Sequence, residues 1–433
     1  MLKHHMASNG VKYDIHTLKN GLRVVLVPMP QTATATVVVM TGTGSRYENE
    51  RENGLAHFLE HMFFKGTKKR KGAREISEEL DAVGSIYNAF TAKDRTAYYA
   101  KVSGRYIDTA LDVISDIFLN SILPQKEITK ERGAIIQEID MYEDMPMHTI
   151  DNVFDALIYG KEHPLGRTIL GPKENIRAFS RTDFSTYLKR NYVPANTVVC
   201  VAGAFNSPKV LAKIKKEFGR VKKAEAPGLI PFTTTQNAPR ISIKEKATDQ
   251  TQLMLGVPAY PYLHKDEYAL NVLSTILGGG MSSRLFLEVR EKRGLAYSVH
   301  ASVDKYPDTG AFVVQAGVEH GKLEKAVETI LAEFRKIKRT KVSKEELEKA
   351  KSYMKGTMTL ALETSDAVAQ HASTSLIALG RIRHIEDVIK AIDKVTAADI
   401  QRVAKDILKT EKLNLAIIGP HLHRDSLSGL LKI

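Results

Sequence analysis

Cysteine is almost absent from this 433-residue sequence, which contains only Cys200. One cysteine cannot form an intrachain disulfide, and such sparse use of cysteine is typical of a reducing compartment. Cys200 lies in the apolar run NTVVCVAGAF, where a buried, inert thiol is favoured over a nucleophile. A disulfide-stabilised fold and thiol chemistry are therefore not expected.

Long apolar segments are also missing. No run of about 18 apolar residues occurs, so the sequence predicts no membrane-spanning helix. Residues 1–21, MLKHHMASNGVKYDIHTLKNG, include basic residues but not the apolar core of a secretory signal. Together with 43% hydrophobic and 26% charged residues, these features predict a folded protein of the cytoplasm.

Nucleic-acid-binding motifs are absent, although the formal net charge is +13. Basic residues are densest in KGTKKRKGAR, residues 65–74, and no aromatic residues are interleaved with them. Such a patch can attract acidic partners, but the sequence favours an ordinary solvated loop. We therefore expect no nucleic-acid partner.

The most informative stretch is NGLAHFLEHMFFKG, Asn53–Gly66, which predicts a buried helix capped by Asn53. His57 and His61 are four residues apart, so both imidazoles lie on one helix face and can reach one metal ion. Glu60 shares that face. Apolar residues on the same helix place these polar groups in a water-poor environment, where metal ligation or ion pairing must compensate for the lost hydration. The apolar residues are Leu55, Phe58, Leu59, Met62 and Phe63. The alternative is a pair of satisfied core histidines beside a surface glutamate.

The chain also contains an internal repeat. Residues 222–240, with three prolines and many small polar residues, have the composition of a linker between residues 1–221 and 241–433. The order of predicted elements is the same on both sides, for example strand, glycine turn and amphipathic helix in RTAYYAKVSGRYIDTALDVISDIF and TGAFVVQAGVEHGKLEKAVETILAEF. We expect an α+β fold of two homologous α/β-sandwich repeats of about 200 residues each.

The two copies differ at the motif helix. Its counterpart in the second copy, Tyr268–Gly280, contains no His, Asp or Glu. The repeat fold therefore does not require the polar triad, which weakens the purely structural interpretation of His57, Glu60 and His61.

The order His-x-x-Glu-His is the inverzincin signature, and the chain resembles the pitrilysin family, which includes insulin-degrading enzyme and mitochondrial processing peptidase. In that family a glutamate about 77 residues after the second histidine is the third zinc ligand, and Glu138 occupies that position. A supporting glutamate seven residues earlier corresponds to Glu131. The resemblance thus implies one Zn²⁺ per chain, bound by His57, His61 and Glu138.

The resemblance extends to other segments of the chain. Asn88 and Ala89, in GSIYNAFT, match a family strand that pairs with an extended peptide. Arg290 and Tyr297, in LEVREKRGLAYSV, match a family pair that donates hydrogen bonds to the substrate carbonyl and the developing oxyanion. The segment LGGGMSSRLFLEVREKRGLAYSV is most similar to bacterial proteins related to the processing peptidases.

The resemblance implies a zinc endopeptidase in which Glu60 is the general base for a zinc-activated water and Glu131 orients a ligand or the substrate amine. It also implies that the two repeats form one half-shell of a clamshell chamber for peptides or unfolded, presequence-like segments. Since larger members join four repeats, a homodimer is expected, and a heterodimer with a related subunit is the alternative. Two other functions compete: a non-catalytic assembly subunit like the respiratory-complex core proteins, and a module with a purely structural zinc.

Overall fold

The computed structural model describes residues 3–6, 12–420, 422 and 424–433. Over these residues the chain forms twelve strands: β1 Lys3–Met6, β2 Lys12–Thr17, β3 Arg23–Pro28, β4 Thr34–Thr41, β5 Ile86–Thr91, β6 Thr96–Ser103, β7 Thr197–Gly203, β8 Arg240–Glu245, β9 Thr251–Ala259, β10 Ala296–Lys305, β11 Gly310–Val318 and β12 Asn414–Gly419. Its α-helices are α1 Leu55–Phe63, α2 Ala73–Asp81, α3 Ile107–Asn120, α4 Gln125–Glu143, α5 Pro146–Tyr159, α6 Lys173–Ala178, α7 Arg181–Asn191, α8 Ser207–Phe218, α9 Glu267–Gly278, α10 Leu323–Arg339, α11 Lys344–Ala361, α12 Ser365–Leu379, α13 Ile385–Asp393, α14 Ala397–Ile407 and α15 Arg424–Leu430.

The chain folds into two compact units, each of which takes a segment from the other half of the sequence. Unit 1 comprises Met1–Ile139, Thr168–Ile230 and Met358–Glu386, and unit 2 comprises Asp140–Arg167, Pro231–Thr357 and Asp387–Ile433. The predicted division into residues 1–221, 222–240 and 241–433 follows the sequence repeat, so it does not include this exchange of helical segments.

Unit 1 is built on a seven-stranded sheet in the order β1-β2-β3-β7-β4-β6-β5. Only β3 and β7 pair in parallel, and the other neighbours are antiparallel. Alternate residues enter different cores: Val24 and Leu26 of β3 pack on the side of α1 and α3, whereas Val25 and Val27 pack on the side of α12. The central strands are therefore buried on both faces, which explains their uninterrupted apolar sequences.

Cys200 lies on the central strand β7 and is fully buried in the core on the α12 side. Burial raises the pKa of its thiol to about 12. The prediction of a buried thiol is confirmed by this placement, and the thiolate that a nucleophile requires is strongly disfavoured.

Unit 2 repeats the central part of this architecture. Its five-stranded sheet has the order β10-β11-β9-β12-β8, with β8 and β12 parallel and the other neighbours antiparallel. Read from its β5 edge, the sheet of unit 1 contains the order β5-β6-β4-β7-β3. Its parallel pair, β7 and β3, is at the place equivalent to β12 and β8. The predicted α+β fold with two homologous repeats is confirmed by this match in strand order and direction.

The basic loop is more structured than the sequence suggested. Lys68, Lys69 and Lys71 are exposed, but only 1% of Arg70 is accessible to solvent. Its guanidinium donates to carboxylates on α2 and α3, at 2.5 Å to Glu79 and at 2.7 Å to both Asp112 and Asp116. The expectation of a solvated loop is therefore wrong at Arg70, because a buried guanidinium needs several hydrogen-bonding carboxylates to offset desolvation.

Membrane-spanning segments were not predicted, and none of the helices described above combines the length and the apolar character needed to cross a bilayer.

Candidate metal centre

The centre is organised by α1, which begins with an unusual backbone conformation rather than an asparagine cap. Gly54 precedes the helix with a φ of 100°, and a Cβ there would lie 2.6 Å from the carbonyl oxygen of Leu170. Both features require glycine. The buried carboxylate of Glu48 accepts hydrogen bonds from the backbone N–H groups of Gly54 at 3.0 Å and Ala56 at 2.6 Å. The prediction that Asn53 caps the helix is wrong, because its side-chain amide donates to Glu48 instead.

Packing stabilises α1, since a helix of nine residues is marginal on its own. Burial of each large apolar side chain contributes roughly 1.5–3 kcal/mol. These side chains fix one face of α1 against the core and turn the polar face away from it: Leu55, Phe58, Leu59, Met62 and Phe63.

The polar face brings the three predicted ligands together. The Nε2 atoms of His57 and His61 lie 3.6 and 3.5 Å from Oε2 of Glu138 on α4. One ligand atom from each residue falls within 4.8 Å of the others. Among the residues that the structure describes, no other group of His, Cys, Asp and Glu side chains is arranged to hold a metal ion.

The separations fit zinc. Ligand bonds of about 2.0–2.1 Å at tetrahedral angles place neighbouring ligand atoms roughly 3.3 Å apart, close to the distances from Glu138 to the two imidazoles. The charges fit as well. The carboxylates of Glu60, Glu131 and Glu138 and the ammonium of Lys65 leave an excess of two negative charges around the imidazoles, which suits a divalent cation.

Glu131 supports His61 from behind. It lies in the buried stripe of α4 between Ile128 and Ile135, and its Oε1 is 2.9 Å from Nδ1 of His61. Because an ionised carboxylate only accepts hydrogen bonds, Nδ1 carries a proton, and in the neutral imidazole the lone pair on Nε2 is then the one that can bind a metal. Burial by itself raises the pKa of Glu131, but hydrogen bonds from His61 and Lys65 lower it to about 2. Glu131 is thus ionised at neutral pH.

Glu60 lies on the same face of α1, but its carboxylate is hydrogen-bonded to a residue outside the ligand group. Its Oε2 accepts a hydrogen bond of 2.6 Å from the hydroxyl of Thr91, the last residue of β5. It is half-buried, whereas His57 is buried. The carboxylate therefore lies beside the ligand group and remains partly accessible to solvent.

Asn88 and Ala89 lie on β5, which forms one edge of the sheet of unit 1. Asn88 is exposed, and its Oδ1 accepts a hydrogen bond of 2.9 Å from the backbone N–H of Ala89. The side chain of Ala89 points to the opposite face and packs against the core that includes α1. The two residues thus share an open strand edge, although their side chains lie on different faces.

Arg290 and Tyr297 both lie in unit 2. Arg290 belongs to a π-helical turn, Phe286–Glu291, and Tyr297 is the second residue of β10. The guanidinium carbon of Arg290 is 4.8 Å from the ring centre of Phe286 and 5.0 Å from that of Tyr297. Tyr297 is 74% exposed. The two residues thus form one exposed cation–π pair.

Three residues of the centre were not identified from the sequence: Glu48, Lys65 and Thr91. Lys65 follows His61 by four residues, so helical spacing was a usable signal for a side chain near the second ligand. Glu48 and Thr91 had no such signal, because each reaches α1 from a separate segment.

Comparisons with known proteins agree with this geometry. The family model "Insulinase (Peptidase family M16)" matches residues 23–173, and "Peptidase M16 inactive domain" matches residues 178–354. A relative in Bacillus subtilis, "Uncharacterized zinc protease YmxG", is 37% identical over 407 residues, covering 94% of this chain and 98% of the relative. An "Uncharacterized zinc protease" of Rickettsia felis is 35% identical over 410 residues, covering 94% and 98%. The crystal structure of a protease from Helicobacter pylori superposes with a TM-score of 0.87 at 28% identity, covering 97% of this chain and all of that one.

Proposed function

Because the chain belongs to peptidase family M16, we propose that it is a zinc-dependent endopeptidase that hydrolyses peptides or unfolded, presequence-like segments. The observation that carries the proposal is the convergence of His57, His61 and Glu138 within 4.8 Å, with the carboxylate of Glu60 on the same helix face. Similarity to proteins named zinc proteases supports the same activity.

His57, His61 and Glu138 would hold one zinc ion. Bound there, zinc would polarise the scissile carbonyl and lower the pKa of water towards 7. Glu60 would accept the proton of the attacking water at its carboxylate and then deliver that proton to the leaving amine. Glu131 would keep the imidazole of His61 in the tautomer that leaves Nε2 free.

Substrate binding is proposed to use backbone groups. β5 is an edge strand, so its outward N–H and C=O groups near Asn88 and Ala89 are suited to pairing with an extended peptide. Following the family resemblance, Arg290 and Tyr297 would donate hydrogen bonds to the substrate carbonyl and the oxyanion. Their cation–π contact pre-orders both side chains for that task.

The non-catalytic alternative is less well supported. An assembly subunit has no need for a ligand set at zinc-compatible distances together with a neighbouring carboxylate, and unit 1 holds both. A purely structural zinc would likewise give Glu60 no chemical role.

Replacement of the proposed base tests the activity. We expect Glu60→Gln to bind one zinc per chain and to lower kcat for an unstructured fluorogenic peptide by about 10²–10⁴-fold, the usual contribution of a general base. Zinc content and peptide hydrolysis are measured on the same preparations, with the exposed Glu78→Gln of α2 as the matched control. Unchanged turnover in Glu60→Gln would contradict the mechanism.

Two further outcomes separate the alternatives. A zinc-loaded wild-type chain that cleaves no member of a diverse peptide library would favour the assembly subunit. Unfolding of the chain on chelation would favour a structural zinc.

A further inference from the structure

Thr91 connects the edge strand of unit 1 to the proposed base. It is the last residue of β5, and its Oγ1 donates a hydrogen bond of 2.6 Å to Oε2 of Glu60. The two residues are 31 positions apart, so the contact exists only because β5 packs beside α1.

The backbone of Thr91 is held by its surroundings. Thr91 pairs with Thr96 at the end of the β5–β6 ladder, and the hydroxyl of Thr96 donates to the carbonyl oxygen of Thr43 at 2.9 Å. Thr91 is β-branched, so its χ1 angle is restricted. A hydroxyl on such a residue has few alternative positions, so it can restrict the conformations of a side chain to which it donates a hydrogen bond.

Glutamate needs such a restraint. Its side chain has three rotatable bonds, and holding the carboxylate in one orientation costs conformational entropy. The hydrogen bond from Thr91 uses one of the two acceptor sites of Oε2. Among the residues that the structure describes, Oε1 has no hydrogen-bond partner, so it is the oxygen with both acceptor sites open.

We propose that Thr91 is a positioning residue that holds one carboxylate oxygen of Glu60 so that the other faces the attacking water. This inference rests on the proposed peptidase function and deepens it. Because Thr91 ends the strand that would pair with the substrate, an extended peptide on β5 and the proton acceptor on α1 are aligned by the same segment of backbone.

Two substitutions test the role of the hydroxyl. Thr91→Val keeps the shape of the side chain and removes its donor, whereas Thr91→Ser keeps the donor. We expect Thr91→Val to lower kcat by about 10–100-fold, in line with the cost of misplacing a reacting group, with little change in KM and one zinc still bound. Thr91→Ser should stay within about threefold of wild type. Thr17→Val, at the exposed end of β2 in the same sheet, is the matched control.

A second measurement does not depend on activity. In metal-free protein, Thr91→Val should lower the urea midpoint of unfolding in the wild-type background and have a smaller effect when Glu60 is alanine, because the hydrogen bond is then already lost. If the effects of Thr91→Val and Glu60→Ala on the urea midpoint simply add, the proposed contact is overturned.

The outcomes for Thr91 and for the peptidase function are distinguishable. If wild type is active, Glu60→Gln is inactive and Thr91→Val is as active as wild type, only the role of Thr91 is overturned. Equal losses of activity in Thr91→Ser and Thr91→Val would overturn it as well. If Thr91→Val does not fold, Thr91→Ala decides by the same comparison. An inactive wild type would refute the peptidase function, and the unfolding cycle would still decide whether Thr91 holds Glu60.

Discussion

The two histidines of the centre differ in what holds their outer ring nitrogens. Nδ1 of His61 is 2.9 Å from Glu131, which in turn lies 2.7 Å from the ammonium of Lys65. Nδ1 of His57 is buried and has no hydrogen-bond partner among the described residues. Orientation of the ligand pair by hydrogen bonding therefore depends on Glu131.

Removal of the Glu131 charge should weaken zinc binding. We expect Glu131→Gln to raise the dissociation constant for zinc by about 10–100-fold, the usual effect of losing a hydrogen-bonded carboxylate behind a ligand. Competition with a chromophoric chelator measures the constant. Glu127→Gln, one turn earlier on α4, is the control. Equal affinities for Glu131→Gln and wild type would contradict the role given to Glu131.

At the scale of elements, the start of α1 depends on a buried carboxylate. Only 1% of Glu48 is exposed, and burial raises its pKa to about 7 despite hydrogen bonds from Ala56, Gly54 and Asn53. The ordinary pKa of a glutamate is 4.5. Between these values the folded state keeps a proton that the unfolded state has released, so the free energy of unfolding falls as pH rises from about 4.5 to 7.

Replacement of Glu48 should remove this pH dependence. We expect the free energy of unfolding of wild type, relative to Glu48→Gln, to decrease by on the order of 3 kcal/mol between pH 4.5 and pH 7.5. Urea unfolding of metal-free protein at several pH values measures it, with the exposed Glu50→Gln as control. A difference that is constant with pH would show that Glu48 is ionised in the folded state at both ends of the range.

The element scale also shows which structure was predictable. Hydrophobic periodicity and turn residues predicted the motif helix and the repeat of strand, glycine turn and amphipathic helix, because these patterns follow from local backbone geometry. The start of α1 was mispredicted at Asn53, because the competing acceptor, Glu48, approaches from a separate turn.

At the scale of the whole molecule, the two units share a strand order but not a ligand set. The helix α9 of unit 2, the counterpart of α1, is largely apolar, and its buried Glu267 pairs with Lys305 at 2.9 Å. Among the described residues, only unit 1 contains a group of side chains that could hold a metal ion. The same strand order therefore carries the candidate ligand set in one unit and an apolar helix at the equivalent place in the other.

A homodimer is our proposal for the assembly, because the family resemblance implies four repeats per chamber and two chains would provide them. We expect light scattering after gel filtration to give about twice the chain mass of 48.1 kDa at micromolar concentration. Peptide hydrolysis should fall on dilution if the active chamber requires both chains. A monomer with full activity would contradict the proposal.

The sequence by itself determined that His57, Glu60 and His61 share one side of a helix, because a helix of 3.6 residues per turn places these positions on one face. Resemblance to the family added Glu138 and Glu131. Only the tertiary structure decided that Glu48 anchors the start of α1, that Thr91 contacts Glu60, and that each compact unit takes a helical segment from the other half of the chain. Helical spacing records local geometry, whereas these contacts arise from an irregular turn before α1 and from the packing of segments that are farther apart in the sequence.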